Sequence, residues 1–151
     1  MKKQQALVLL LVAVTLLLCM SVYAQVSRPY RNGSVWSLAF IRMKPGMESA
    51  YLNYVAGDWK KEQEAMKQAG YVLSYKVLAT EGHTPGDWNL MLMTEYKDMA
   101  SMEANEQKAE ALAQKLFGGD DKVQQGYRER LEIREIIGDR LAREIVLEPR
   151  K

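Results

Sequence analysis

From Val35 onward the apolar positions switch between a period of two and a helical period of about 3.6, and each switch falls at a Gly, Pro or Asp. Val35 to Met43 (VWSLAFIRM) is short and rich in β-formers, and Lys44-Pro45-Gly46 stops it, which predicts a first strand. Met47, Tyr51, Tyr54, Val55, Trp59, Met66 and Ala69 then form an apolar stripe with Lys60, Lys61, Glu62 and Glu64 between them, an amphipathic helix closed by Gly70. Tyr71 to Ala79 and Trp88 to Tyr96 read as two strands joined by a long loop containing Gly82, Pro85 and Gly86. Asp98 suits the N-cap of a helix that runs through Met99, Met102, Ala109, Leu112, Ala113 and Leu116 and ends at Gly118-Gly119. Asp120 or Asp121 caps a further helix with Val123, Tyr127, Leu131 and Arg134 at helical spacing, ended by Gly138. Leu141 to Glu148 is the last predicted strand, stopped by Pro149.

The pattern before Val35 is different. Lys2 and Lys3 precede an apolar run from Ala6 to Met20 broken only by Thr15, and Val22-Tyr23-Ala24 ends it in the manner of a signal-peptidase site. The expected organisation is therefore a signal peptide over 1–24, a polar, flexible lead over 25–34 and one domain over 35–151. Export to the periplasm or the medium follows, with no stable membrane anchor after cleavage, since the run is barely long enough to span a bilayer core.

Composition alters this picture once the first 24 residues are set aside. The full 151-residue chain has 21 Lys plus Arg and 19 Asp plus Glu, but Lys2 and Lys3 go with the signal, leaving a formally neutral mature chain. Such a chain lacks the cationic surface by which proteins bind nucleic acid, so no nucleic-acid partner is expected. Cys19, the single cysteine, is removed too, which excludes disulfides, thiolate metal sites and a cysteine nucleophile. Stability then depends on packing.

The element order β-α-β-β-α-α-β is a split βαβ plan: an α+β, ferredoxin-like fold with a four-stranded antiparallel sheet, helices on one face, and one extra helix before the last strand. With this order, and with the segment Phe40-Ile41-Arg42-Met43-Lys44-Pro45-Gly46-Met47-Glu48 at the exit of the first strand, the chain resembles the dimeric α/β-barrel superfamily. Antibiotic-biosynthesis monooxygenases and ethyl tert-butyl ether degradation proteins belong to it. The resemblance implies two sheets closing a barrel across a homodimer, with an apolar pocket where aromatic and polar side chains assist oxygen chemistry on the substrate itself. Trp36, Arg42, Tyr51, Trp59, Tyr75, Trp88 and Asn89 are residues of the right types, but they do not match a catalytic motif of the family position by position. The extra helix would shield a mouth of the barrel or extend the dimer contact.

Candidate chemistry is sparse. His83, the only histidine, lies in the loop Glu81-Gly82-His83-Thr84-Pro85-Gly86-Asp87 and reads as a solvated loop residue, since one imidazole without a second His or a Cys is a poor metal set. No metal and no cofactor are expected, and the chain has no phosphate-cradling glycine loop or nucleophile elbow. Tyr51, Val55 and Trp59 at helical spacing read as core. Strand alternation is more informative: Asn89, Met91, Met93 and Glu95 share one face of their strand, and a mixture of methionine with two polar groups suits a cavity lining. The expected ligand site is therefore Asn89, Met91, Met93 and Glu95 with Trp36 and Tyr75. Glu95 is the one candidate proton acceptor, should burial raise its pKa. Three functions fit these residues: an exported binder of a small apolar molecule, a cofactor-independent monooxygenase or isomerase on an apolar or aromatic substrate, and a structural dimer with a packed cavity.

Overall fold

A computed structural model describes Gln5, residues 29–80, Thr84 and residues 86–148. The expected signal peptide and His83 lie outside the described residues. Strands β1 (Tyr30–Met43), β2 (Ser74–Ala79), β3 (Leu90–Tyr96) and β4 (Arg134–Leu147) form one antiparallel sheet in the order β2-β3-β1-β4. The helical segments are α1 (Glu48–Tyr54), a π-helical turn at Val55–Trp59, α2 (Lys60–Gln68), α3 (Met99–Phe117) and α4 (Asp120–Leu131). Among the described residues no helix is long and apolar enough to cross a membrane.

Asn32–Val146 make up one body, which holds the whole core. Pro29 to Arg31 with Leu147 and Glu148 belong to a second, small unit, where the Glu148 N–H donates to the Pro29 carbonyl (2.9 Å) and Arg31 pairs with Glu148 (3.4 Å).

Two strands are longer than the apolar pattern predicts. β1 begins at Tyr30, inside the stretch read as a lead, and β4 begins at Arg134, so Gly138 lies within a strand instead of ending a helix. The two extensions belong to neighbouring strands, and ladder hydrogen bonds compensate for weak strand propensity. Gly33 is needed there: a Cβ at that position would stand 2.4 Å from the Glu144 carboxylate. β2 and β3 are shorter than the pattern predicts, starting at Ser74 and Leu90 instead of Tyr71 and Trp88, and the further helix ends at Leu131. At both ends of α3 sequence and structure agree. The Asp98 carboxylate accepts the Ser101 N–H at 2.7 Å as the α3 N-cap, which also lowers its pKa, and Gly118 takes the left-handed conformation (φ 90°) that ends the helix.

The core lies between the sheet and the first helical rod. Tyr51, Val55 and Trp59 pack with Ile41, Met43, Leu90 and Leu92, and Gln63 follows one more step of four along the same rod. Strict spacing of four overshoots a full turn in an α-helix, where each residue turns by about 100°. It falls short in a π turn, where each residue turns by roughly 82°. The π turn at Val55–Trp59 cancels the drift, keeping Tyr51, Val55, Trp59 and Gln63 on one line over the sheet. The buried Thr94 hydroxyl donates to the Gln63 side-chain oxygen at 3.0 Å, so this buried polar pair is satisfied.

Tyr51 is 1% exposed, and burial pushes its phenol up to about 12 even though the nearby Arg134 guanidinium pulls the other way. Its folded-state pKa stands above the unfolded value of about 10, so the folded state keeps a proton that the unfolded chain releases. Stability is fully present below pH 10 and falls as pH rises toward 12. Absorbance titration of the tyrosines should show a late-ionising phenol that Tyr51→Phe removes, with urea-unfolding stability declining across the same window. A full complement of tyrosines ionising near pH 10 would contradict this packing.

Candidate functional site

Cross-strand register assigns each strand residue to a face. β1 and β3 pair Val35 with Tyr96, Ser37 with Thr94, Ala39 with Leu92 and Ile41 with Leu90, all on the side that meets the helices. The opposite side pairs Trp36 with Glu95, Leu38 with Met93 and Phe40 with Met91. β2 adds Ser74 opposite Glu95, Lys76 opposite Met93 and Leu78 opposite Met91. On β4, Ile136 joins the core and the Glu135 carboxylate pairs with Arg42, so alternation carries Ile137, Leu141 and Ile145 to the side away from the helices. No described helix covers that side, where Leu141 and Ile145 are 53% and 55% exposed.

This open face is an apolar floor with a polar end. Leu38, Phe40, Met91, Met93 and Leu78 form the floor, and Phe40 meets Trp88 edge to face at 5.2 Å. At one end Glu95 accepts a hydrogen bond from the Ser74 hydroxyl, and the Lys76 ammonium stands 5.2 Å from the centre of the Trp36 ring. The face can bind apolar surface over its middle and present a carboxylate, a hydroxyl and an ammonium at its edge.

The residues named from sequence divide between three places. Trp36, Met91, Met93 and Glu95 come together on the open face. Tyr75 does not: it pairs with Thr94 on the helix side, packs edge-on against Trp59 at 5.4 Å and donates its hydroxyl to Glu64. Alternation within β2 alone cannot fix which face is which, and the pairing with β3 decides it. Asn89 lies just outside β3, where its side-chain oxygen accepts the Met43 N–H at 2.8 Å and its own N–H donates to the Ile41 carbonyl at 2.9 Å. It therefore pins the end of β1 instead of lining the face. Among the described residues no cluster of His, Cys, Asp and Glu could hold a metal ion.

Sequence reasoning did not single out a second concavity, on the helix side. A cleft of about 390 Å³ lies between the rod, α3 and α4, lined among others by Tyr54, Glu62, Phe117, Val123 and Arg130. The extra helix α4 thus belongs to the helical layer. Burial raises the pKa of Tyr54 and of Glu62, in each case against the pull of Arg130. A signal was available: Tyr54, Asp58 and Glu62 recur every four residues beside the core stripe, which gives the rod a second, polar-aromatic face.

No family model matches the chain, and no curated protein matches it. Among solved structures it is similar to HapK from Hahella chejuensis, with a TM-score of 0.50 at 9% identity over 73% of this chain and 91% of HapK. It is also similar to a dimeric ferredoxin-like protein from an uncultured marine organism, with a TM-score of 0.39 at 20% identity over 80% of this chain and 98% of that one. At such identities the likeness is one of architecture, and the fold of the chain is ferredoxin-like.

Proposed function

We propose that the protein is exported and works as a homodimer whose open sheet faces stack on each other, holding a small apolar molecule between them. The observation that supports this most is the partly exposed floor of Leu38, Phe40, Met91 and Met93, on the same side of the sheet as the exposed Ile137, Leu141 and Ile145. Monomeric soluble proteins rarely leave so broad an apolar surface to water. A second copy suits the face because it carries both signs of charge, with Lys76 and Arg42 alongside Glu95 and Glu135, as a self-complementary interface requires. Methionines on the floor adapt to a bound shape, while Glu95, Ser74 and Lys76 give the cavity a polar end that can orient a ligand. A monooxygenase or isomerase on the same scaffold would need a proton acceptor, for which Glu95, held at one oxygen by the Ser74 hydroxyl, is the candidate on this face. The breadth of the apolar floor favours binding as the reading.

Two measurements test the reading. Light scattering of the mature chain at tens of micromolar should give twice the chain mass, and Leu38→Glu or Met93→Glu should give a folded monomer, because each buries a charge against the mate. A monomeric wild type would refute the stacked dimer. Mass spectrometry of exported material should find the amino terminus near Gln25, whereas an intact residue 1–24 segment in membrane-bound protein would replace export with anchoring.

A further inference from the structure

We infer that the cleft on the helix side is a second binding site, separate from the open sheet face, and that it takes a small organic carboxylate with an apolar body through Arg130. The inference begins with two guanidinium groups that no carboxylate of the described residues reaches at ion-pair distance. Among the described residues, ion pairs join Arg31 to Glu148 and Arg42 to Glu135, and neither Arg130 nor Arg134 takes part in one. Arg134 is 7% exposed, and the Nε atoms of both side chains are buried without a hydrogen-bond partner.

Tyrosine rings take the place of carboxylates. The Arg130 guanidinium lies 4.6 Å from the centre of the Tyr54 ring and 5.6 Å from that of Tyr127, and Arg134 lies 5.5 Å from Tyr51 and 5.8 Å from Tyr127. Stacking holds the planar groups in position and leaves their N–H edges unused. Such an edge is the geometry that accepts a carboxylate in two parallel hydrogen bonds. Gly126 supports the arrangement, since a Cβ there would stand 3.1 Å from an Arg130 terminal nitrogen.

Arg130 lines a cleft of about 390 Å³, within the range that holds a small molecule. Its other walls narrow the ligand class. Ala113, Phe117 and Val123 offer apolar surface, which suits a ring or short chain, and Arg130 and Lys122 stand among Asp58, Glu62 and Glu129, which disfavour every negative charge on a ligand beyond the one that meets Arg130. A monoanion with an apolar body meets both conditions. Glu62 lies in the same cleft, where burial raises its pKa against the pull of Arg130 and so disfavours the charge that would compete with a ligand for the guanidinium.

Calorimetric titration of the full chain with benzoate tests this, with benzamide and inorganic phosphate as comparators. The expected result is saturable binding of one benzoate per chain, with both comparators at least about tenfold weaker, a difference of about 1.4 kcal/mol. Arg130→Gln should weaken benzoate by a similar factor, and Glu62→Gln, which removes the acid, should retain or tighten it. Val123→Phe fills the cleft without altering charge and should abolish binding, so the assignment does not depend on Arg130→Gln folding. Absence of saturable benzoate binding by the wild type, equal affinity for benzamide or phosphate, or full binding by a folded Val123→Phe variant would each overturn the inference. The cleft lies within one chain, so these outcomes are independent of whether two copies associate.

Discussion

A four-stranded sheet has two faces, and every helix of the described chain that packs on it does so from the same side. Alternation along the strands then sorts side chains into two environments at once: Ile41, Leu90 and Leu92 are sealed under the rod, while Leu38, Met91 and Met93 stay partly exposed on the side that no described helix covers. The apolar positions on that side are the surface that the proposed association would bury. The proposed association and the ligand cavity are two consequences of that asymmetry.

The covered side depends on a different device. Spacing of four along Tyr51, Val55, Trp59 and Gln63 needs a π turn to stay in line, and π turns inside helices often accompany functional sites. Here the rod serves two neighbours, since its buried line faces the sheet while Tyr54, Asp58 and Glu62 face the cleft toward α4. Arg130 and Arg134 join the two layers through tyrosine rings, which accept a guanidinium without neutralising it. Arg130 thus stands against tyrosine rings at the edge of the space lined by Phe117 and Val123, with Glu62 in the same cleft.

Element order was legible in the sequence because punctuation marked it: Pro45-Gly46 after β1, Asp98 before α3 and Gly118 after it all act as their chemistry predicts. The start of β4 was not legible. Arg134 to Arg140 (REIIGDR) groups charged and apolar residues in pairs on either side of Gly138 and imitates the end of a helix, and only pairing with β1 makes it a strand. The open-face group of Trp36, Met91, Met93 and Glu95 could be read in part, since alternation along β3 places its three members together. Tyr75 and Asn89 could not be placed this way. Register with β3 turns Tyr75 toward Trp59, and a side-chain bond to the β1 backbone draws Asn89 off the face. Arg130 was not legible at all, because helical period alone cannot show which side chains surround a residue.

The stacking of two open faces is tested most directly by the methyl groups on the floor. In a mixed sample of methionine-methyl-labelled and unlabelled chains, isotope-filtered nuclear Overhauser spectra report only contacts between protomers. Stacked sheets predict intermolecular cross-peaks from the Met91 and Met93 methyls to side chains of the mate, and these should vanish in Leu38→Glu. Sharp, solvent-exposed Met91 and Met93 methyl signals with no intermolecular cross-peak at the same concentration would contradict the account.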